Sequence, residues 1–384
     1  MSFYELQGPT AWADPPSMWS STSLDDVEAC PRRWQLLRSR WGDFDRFPVR
    51  PHPAAIEGQI VHEALDRLTR ACGQRGNPAF GSADFAAALI DADFFPSFAR
   101  SVAEWQSRLA AHPRPGPAFR LRASAEELAN RAVRMFREQY KPGEDSVSQA
   151  AEPVSAADGI GALLRRKRAL SEVRLEHPTL PFIGVLDRVQ LVSESVEIVD
   201  FKTGRPSAKH HQQLLRYALL WWRVAGDLPV RVIAQYLDGI ESWPVKDAPL
   251  AEVEADLATK LPVLAGALLD HPAPAKAGAG CLVCPVRARC DPGWAVGEEA
   301  ARLDGRGDAE LVVTAKAGEY GFLGRSGAGA EVAVTYDAAV GRLLPPLVDG
   351  RTVRILEGVW KERESQLEIK TWTEIFVVAA APAR

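Results

Sequence analysis

The chain has 384 residues, a length that suits two or three domains. With 46% hydrophobic and 25% charged residues its composition is globular, which excludes an intrinsically disordered chain and a fibrous repeat. Its 46 Lys and Arg nearly balance 50 Asp and Glu, so at a net charge of -4 no chain-wide field draws in a polyanion, and a nucleic-acid surface has to be a local patch.

No apolar run approaches the roughly 18 residues of a membrane span, and the opening MSFYELQGPT lacks the basic and apolar regions of a signal peptide. The expected location is the cytoplasm, with no membrane partner. Five cysteines in a reducing compartment do not read as a disulfide framework, and three of them crowd into CLVCPVRARC, a pattern of metal or cluster chemistry.

The first stretch runs through Pro9, Pro15 and Pro16 to STSLDDVEACPRRWQLL, where Ser23 is expected to cap a helix opened by Asp25 and Asp26. Ile60, Val61, Ala64, Leu65 and Leu68 recur at helical spacing and predict a helix from Glu57 to about Ala71. Helices are expected from Asp84 through Tyr140, broken by HPRPGP at His112 to Pro117. After Lys141 a Gly/Ser/Ala-rich link leads to RRKRALSEVRLE, PFIGVLDRVQLV and SVEIVDFKTG, three runs with hairpin-like separations that predict a sheet. HHQQLLRYALLWWRVAG returns to helical spacing, RVIAQYL reads as a further strand, and a helix from Leu250 to about Leu269 leads into the loop HPAPAKAGAG before the cysteines. Beyond about residue 305, ELVVTA, GEYGFLG, EVAVTYD, TVRILEGVWK and LEIKTWTEIFVV read as five short strands of a small antiparallel β-barrel, of oligonucleotide-binding (OB) type.

The sharpest local signal is Asp187 in one apolar run and Asp200-Phe201-Lys202 at the end of the next. Alternation in a strand puts Asp200 and Lys202 on one face and Phe201 on the other. A hairpin between the runs would set Asp187 beside Asp200, and carboxylates that close repel unless a divalent cation sits between them. Such a cation polarises a phosphoryl oxygen and activates water, with Lys202 orienting the nucleophile or stabilising developing charge. Gly204, just past this strand, would allow close approach of a phosphate. Gln213 and Tyr217, and earlier His62 and Asp66, are each one helical turn apart, so each pair can face one ligand. Taken singly, these features are as ordinary as a surface hairpin and helix packing; their order along the chain is not.

That order, GQIVHEAL, GVLDRV, VDFKTG and QLLRYA, resembles the RecB-type branch of the PD-(D/E)xK nuclease superfamily over roughly residues 20 to 295. The resemblance implies an α/β fold: a mixed sheet flanked by helices, with an N-terminal helical region. It divides the chain into a nuclease domain over residues 1–300, with a helical insertion at about 73–145, and the barrel over 305–384. It implies that His62, Asp187 and Asp200 ligate catalytic Mg2+ or Mn2+, completed by the backbone carbonyl of Phe201. Lys202 maps to the family lysine, and Gln213 and Tyr217 to its Q-x-x-x-Y pair. Asp200 departs from the Glu of many superfamily members but is common in this branch. Glu172 is a further acidic candidate whose alignment stays open.

Cys281-x2-Cys284-x5-Cys290 supplies three thiolates where a tetrahedral site needs four, and the fourth ligand can be Cys30, Cys72 or His271. Cys72, at the end of a predicted helix, reads as a small buried hydrophobe. RecB-like nucleases with an iron-sulfur cluster, the AddB subunit and CRISPR-associated exonucleases among them, place one cysteine before the nuclease core and three after it. By that resemblance Cys30, Cys281, Cys284 and Cys290 hold a [4Fe-4S] cluster; the spacing by itself also suits structural zinc. Either metal would staple the N-terminal helix to the segment after the core.

Two basic runs, Arg32, Arg33, Arg38 and Arg40, then Arg165, Arg166, Lys167 and Arg168, are candidate phosphate contacts or solvated faces. Tyr320, Phe322, Tyr336, Trp360, Trp372 and Phe376 in the barrel can stack unpaired bases or fill its interior. The expected protein is a Mg2+- or Mn2+-dependent deoxyribonuclease, an exonuclease or end- and single-strand-processing enzyme of DNA repair, recombination or phage defence. The competing expectation is a nuclease-fold DNA-binding or scaffolding subunit that recruits a helicase or defence protein. The chain carries no G-x-x-x-x-G-K-[ST] motor motif, so any unwinding would come from a partner.

Overall fold

The computed structural model describes residues 4–378, apart from 50–51, 113, 115–120, 122, 141–158, 237–238, 300–304, 343, 345–346 and 362–364. The Gly/Ser/Ala-rich link and most of the HPRPGP break lie outside the described residues.

A two-residue strand β1 (Glu5–Leu6) and two short helices, α1 (Ser21–Ala29) and α2 (Pro31–Arg38), precede the long helix α3 (Pro53–Gln74). The cap of α1 is Ser20 rather than Ser23. Ser23 is its reciprocal partner, accepting from the Ser20 N–H at 2.7 Å while Ser20 Oγ accepts from the Ser23 N–H at 3.1 Å. Four consecutive hydroxyl residues, Ser20 to Ser23, offered the cap, and the chain direction selects the first. Helices α4 (Ala83–Asp91), α5 (Phe94–Ala110) and α6 (Ala125–Gln139) follow, then α7 (Gly159–Lys167), which absorbs Arg165 to Lys167 from the run expected to open the first strand.

The central sheet runs β2 (Ala169–Glu176), β3 (Ile183–Val192), β4 (Ser195–Lys202), β5 (Arg231–Tyr236), β6 (Gly239–Pro244) in that spatial order. All neighbours are antiparallel except β4 and β5, which are parallel and joined by helix α8 (Ala208–Ala225). One face packs under α8 and α1, in a core of Trp221, Leu214, Ile198, Val232 and Leu24 that also takes in α9 (Asp247–Ala267). The other face lies under α3 to α6, with Val199, Phe201 and Ile233 meeting Leu65, Leu68, Phe98 and Phe136. Each strand face is thus apolar, as a sheet covered on both sides requires. Two short 3-10 turns carry the cysteines to helix α10 (Asp291–Glu299). No helix among the described residues is long and apolar enough to cross a membrane.

The last segment, β7 (Arg306–Lys316), β8 (Gly321–Ser326), β9 (Glu331–Thr335), the short helix α11 (Ala338–Gly341), β10 (Thr352–Lys361), β11 (Gln366–Glu368) and β12 (Glu374–Val378), forms a closed five-stranded barrel with an extension. The barrel order is β7-β8-β9-β11-β10, closed by β10 on β7, while β12 and then β1 add to the open edge of β10. The expected fifth strand LEIKTWTEIFVV is therefore two, split at a turn where the Lys370 N–H donates to Thr373 Oγ1. Strand β10 serves three neighbours because it bends: its register against β7 shifts between Ile355 and Gly358, with Glu357 at φ 60°.

Barrel and cysteine segment are joined through buried charge. Arg287, between the second and third loop cysteines, forms a two-pronged pair with Asp308 of β7 at 2.7 and 3.0 Å, their side chains 7% and 2% exposed. Arg354 of β10 donates to the Ala288 carbonyl, and Arg289 to the carbonyls of Glu5 and Gln7. Arg114, from the helical layer, pairs with Glu374 of β12 at 2.5 Å with both side chains 5% exposed.

Candidate metal centre

Two glycines bring the sequence motifs together in space. A Cβ at Gly58 of α3 would lie 2.7 Å from Thr203 Oγ1, so a side chain there would have to turn the threonine or lift α3 from the end of β4, and His62 follows one turn later. A Cβ at Gly184 of β3 would lie 2.6 Å from Leu220 Cδ1 and 3.0 Å from the Tyr217 ring, so its absence seats α8 on the sheet.

Asp187 comes to lie beside Asp200 as the hairpin requires, since the β3–β4 register pairs Arg188 with Val199 and the next step sets the two acids opposite each other. Asp187 Oδ2 accepts the Phe201 backbone N–H at 2.8 Å and lies 3.4 Å from His62 Nδ1. Lys202 Nζ stands 2.5 Å from Asp200 Oδ2 and donates to Gln213 Oε1 at 2.9 Å; Gln213 Nε2 in turn donates to Tyr217 Oη at 2.7 Å. Every catalytic and metal-binding residue expected at this end of the sheet is brought together there. Glu172 joins them: its carboxylate, that of Asp187 and a ring nitrogen of His62 all lie within 4.8 Å of one another. Asp66 does not, because it accepts from Ser171 Oγ at 2.6 Å and pairs with Arg70 at 2.9 Å, tying α3 to β2. Gly204 has open space where a side chain would be.

The electrostatics are those of crowded acids under partial cover. Burial, then the like charge of Asp187, raises Asp200 to about 7 against the pull of Lys202. Burial opposes the His62 imidazolium, but the Asp187 carboxylate and its hydrogen bond outweigh it and lift His62 to about 8. Glu172 is raised by burial and by Asp187 and Asp66. Burial and Asp200 push the Tyr217 phenol up, so it stays neutral and serves as a fixed dipole.

A divalent cation suits this donor set. Asp200 is 2% exposed and meets Lys202 Nζ at 2.5 Å, yet burial and the like charge of Asp187 still hold its carboxyl well above the ordinary range. One ammonium thus does not offset two crowded carboxylates, and a further cation would relieve them. The hard oxygen ligands with one imidazole are those that Mg2+ and Mn2+ accept.

The four expected cysteines also converge. A Cβ at Gly293 would lie 3.6 Å from Cys290 Sγ and 3.7 Å from Cys281 Sγ, so glycine keeps room beside the sulfurs. Burial raises the Cys284 and Cys290 thiols, and neighbouring sulfurs, Cys290 and Cys281 for the first and Cys30 for the second, push the same way. Of the other candidates for the fourth ligand, Cys72 lies elsewhere and His271 is engaged in stacking. Cys72 is fully buried in the helical core near Tyr140, where burial raises it to about 11, and His271 stacks on Trp12 at 5.8 Å.

The basic runs are mostly spent on local partners. Arg33 and Arg38 both reach Asp26, Arg32 donates to the Ala273 carbonyl, Arg165 pairs with Asp227 and Arg168 with Glu194. Of the barrel aromatics, Phe322 and Phe376 are buried and Tyr336 and Trp360 pack against the barrel core, while Tyr320 is 42% exposed.

A family model for the PD-(D/E)XK nuclease superfamily matches residues 18–291, well over half of the chain. No curated protein matches. Among solved structures, the chain is similar to the tetrameric p202 HIN2 at 18% identity and TM-score 0.17, over 19% of this chain and 42% of that one. It is similar to SSO0001 at 15% identity and TM-score 0.22, over 51% and 80% of the two chains. A murine DNA binding protein bound with double-stranded DNA aligns at 10% identity and TM-score 0.17, over 55% and 95%. This chain therefore spans less than half the length of the first of these, and at such TM-scores none bears on fold or function.

Proposed function

The chain belongs to the PD-(D/E)XK nuclease superfamily, and from that premise we propose that it is a metal-dependent deoxyribonuclease of the RecB-like branch, hydrolysing phosphodiester bonds at DNA ends or in single strands. The observation that carries the reading is the meeting of Asp187, midway along β3, with Asp200 and Lys202 at the end of β4, and His62 over them. His62, Asp187, Asp200 and the Phe201 carbonyl would hold Mg2+ or Mn2+, which when bound supplies a Lewis acid and lowers the pKa of water. Lys202, fixed between Asp200 and Gln213, presents its remaining N–H to the attacking water or to the negative charge that grows on the phosphate. Tyr217 and Gln213 hold that ammonium in place. The open side of Gly204 leaves the strand end approachable by a phosphate.

Cys30, Cys281, Cys284 and Cys290 are the proposed ligands of a [4Fe-4S] cluster. The open space Gly293 leaves beside Cys281 and Cys290, and the mutual influence of Cys30 and Cys290, support one shared centre. The barrel reads as an OB-type accessory domain, supported by its strand order and by α11 between its third and fourth strands. A single-stranded DNA segment or a helicase or defence partner is its proposed ligand, in DNA repair, recombination or phage defence.

The test is cleavage of end-labelled single- and double-stranded DNA by anaerobically purified protein with Mn2+. Wild type should cut and Asp200→Asn should not, while both are brown and melt alike. Full activity in the variant, or metal-dependent cleavage of neither substrate by wild type, overturns the reading. Loss of colour in Cys30→Ala but not in Cys72→Ala assigns the cluster; stoichiometric zinc in colourless wild type removes it.

A further inference from the structure

The proposed reaction leaves one proton without a destination. Water that attacks a phosphodiester must give up a proton as its oxygen bonds to phosphorus. Lys202 cannot take it, because an ammonium held between Asp200 and Gln213 only donates. Asp187, Asp200 and His62 are the proposed metal ligands. A second histidine stands beside this group. His210 lies in the first turn of α8, three residues before Gln213 and seven before Tyr217, so the three side chains share one stripe of the helix.

Two strands fix its ring. Tyr236 of β5 is the ladder partner of Lys202 on β4, so its phenol, 4% exposed, reaches the same end of the sheet on the same face. His210 Nδ1 lies 2.8 Å from Tyr236 Oη, and Tyr236 Oη donates to Glu241 Oε2 of β6 at 3.3 Å. A carboxylate only accepts, so Glu241 takes the single phenolic proton and leaves the Tyr236 oxygen to accept from Nδ1–H. That selects the imidazole tautomer whose Nε2 carries a lone pair, and Nε2 has no hydrogen-bond partner among the described residues.

The charged and titratable groups around the ring are Lys202 from β4, Tyr236 from β5 and Glu241 from β6, with Lys209 and His211 next to it on α8. His211 stacks on Trp243 at 4.5 Å. Burial and then the Lys202 ammonium lower the His210 pKa, while Glu241 pulls the other way, so at neutral pH the ring is an unprotonated base.

Resting on the metal-dependent nuclease reading, we infer that His210 Nε2 is the general base of the reaction, with Tyr236 and Glu241 as its positioning residues. As the water oxygen bonds to phosphorus, its proton passes to Nε2. The bond from phosphorus to the leaving oxygen breaks with its electron pair on that oxygen, which takes a proton from solvent. His210 then returns its own proton to solvent. In between, Glu241 stabilises the imidazolium through the Tyr236 phenol.

The experiment is cleavage rate against pH at saturating Mn2+, so that metal occupancy stays constant. In wild type the rate should rise through the His210 titration, below the ordinary imidazole range, and then level off. His210→Ala should lose at least about 100-fold at neutral pH and show no levelling, with Mn2+ affinity and melting unchanged. Tyr236→Phe and Glu241→Gln should each lose about tenfold and move the bend to lower pH, because the imidazolium loses its stabilising partner. The His210→Ala loss should persist on oligonucleotides with sulfur in place of the bridging oxygen, whose leaving atom needs no proton. Nitrogen-15 spectra of the imidazoles without Mn2+ should place the His210 proton on Nδ1. An unchanged profile in His210→Ala, a loss that vanishes with the sulfur leaving group, a bend unmoved in both Tyr236→Phe and Glu241→Gln, or a proton on Nε2 would overturn the assignment and leave the nuclease reading standing. Wild type that cuts nothing with Mn2+ takes down the nuclease reading and this step with it.

Discussion

The backbone N–H of Phe201 donates to Asp187 at 2.8 Å, so the residue that follows one acid of the centre fixes the other. Asp187 and Asp200 are therefore one hydrogen-bonded unit rather than two independently mobile side chains. A charged partner fixed in this way loses little freedom when a cation binds, which is the condition for a tight site.

Lys202 depends on a chain of neutral partners, and the chain should show graded effects. Lys202→Met is expected to abolish cleavage. Gln213→Ala, which removes the acceptor of the Lys202 ammonium, should cost about 10- to 100-fold in kcat, and Tyr217→Phe less, since it only frees Gln213. Mn2+ affinity should be nearly unchanged in all three. Equal losses in kcat for Gln213→Ala and Tyr217→Phe, or a large loss of Mn2+ binding, would contradict this order.

Gly58→Ala tests the close approach of α3 to β4. The new methyl meets Thr203 Oγ1 at 2.7 Å and must lift the helix or rotate the threonine. Mn2+ binding should weaken by about tenfold through displacement of His62, and Gly58→Ala with Thr203→Ala should restore most of it, a coupling expected only of residues in contact. Additive single and double effects would show that the two do not touch.

Metal loading should release protons. In the metal-free protein His62 is raised to about 8 and Asp200 to about 7, so below both values both groups carry a proton that a cation must displace. Affinity for Mn2+ should therefore rise with pH, by about one decade per unit between 7 and 8 and more steeply below 7, and level off above about 8.5. Calorimetry in buffers of different ionisation heat measures the protons released directly. A pH-independent affinity from 6 to 8 would mean that neither group is a ligand.

Arg287→Ala should leave Asp308 buried and unpaired, at a cost on the order of 3–5 kcal/mol. Because Arg287 lies inside the cysteine segment, the variant should lose the iron of the proposed cluster and melt earlier together. Arg40→Ala, which breaks the exposed pair with Asp45, should melt like wild type. If Arg287→Ala also melts like wild type, the barrel and the cysteine segment are not energetically joined.

The sequence was most legible where local pattern and tertiary demand agree. HHQQLLRYALLWW repeats every third or fourth residue and gives α8, and with it Gln213 and Tyr217 on one face. The DFK strand end and its hairpin partner were equally plain. Strand β6, GIESWP, was missed because it is a polar edge strand ending in proline, held only by its pairing with β5. Helix α7 was missed because its glycines and its Arg165–Arg166–Lys167 end carry no helical periodicity. Glu172 was visible as an acid but not as a neighbour of His62, since nothing in SEVRL announces a left-handed residue. The pair Arg287–Asp308 bridges two segments with different patterns, and only the folded chain brings them together.

Strand β1 pairs in parallel with β12, Glu5 against Val377 and Leu6 against Val378, so two pieces of chain very distant in sequence are held side by side. Glu5 is also held by Arg289, whose guanidinium donates to its carbonyl, so both anchors of this segment lie far along the chain. Contacts of such sequence separation form slowly and late. The central sheet, whose strands follow one another closely, can assemble during synthesis, while the N-terminal segment waits. Docking of β12 on β10 is then the event that lets the β1 segment close over it.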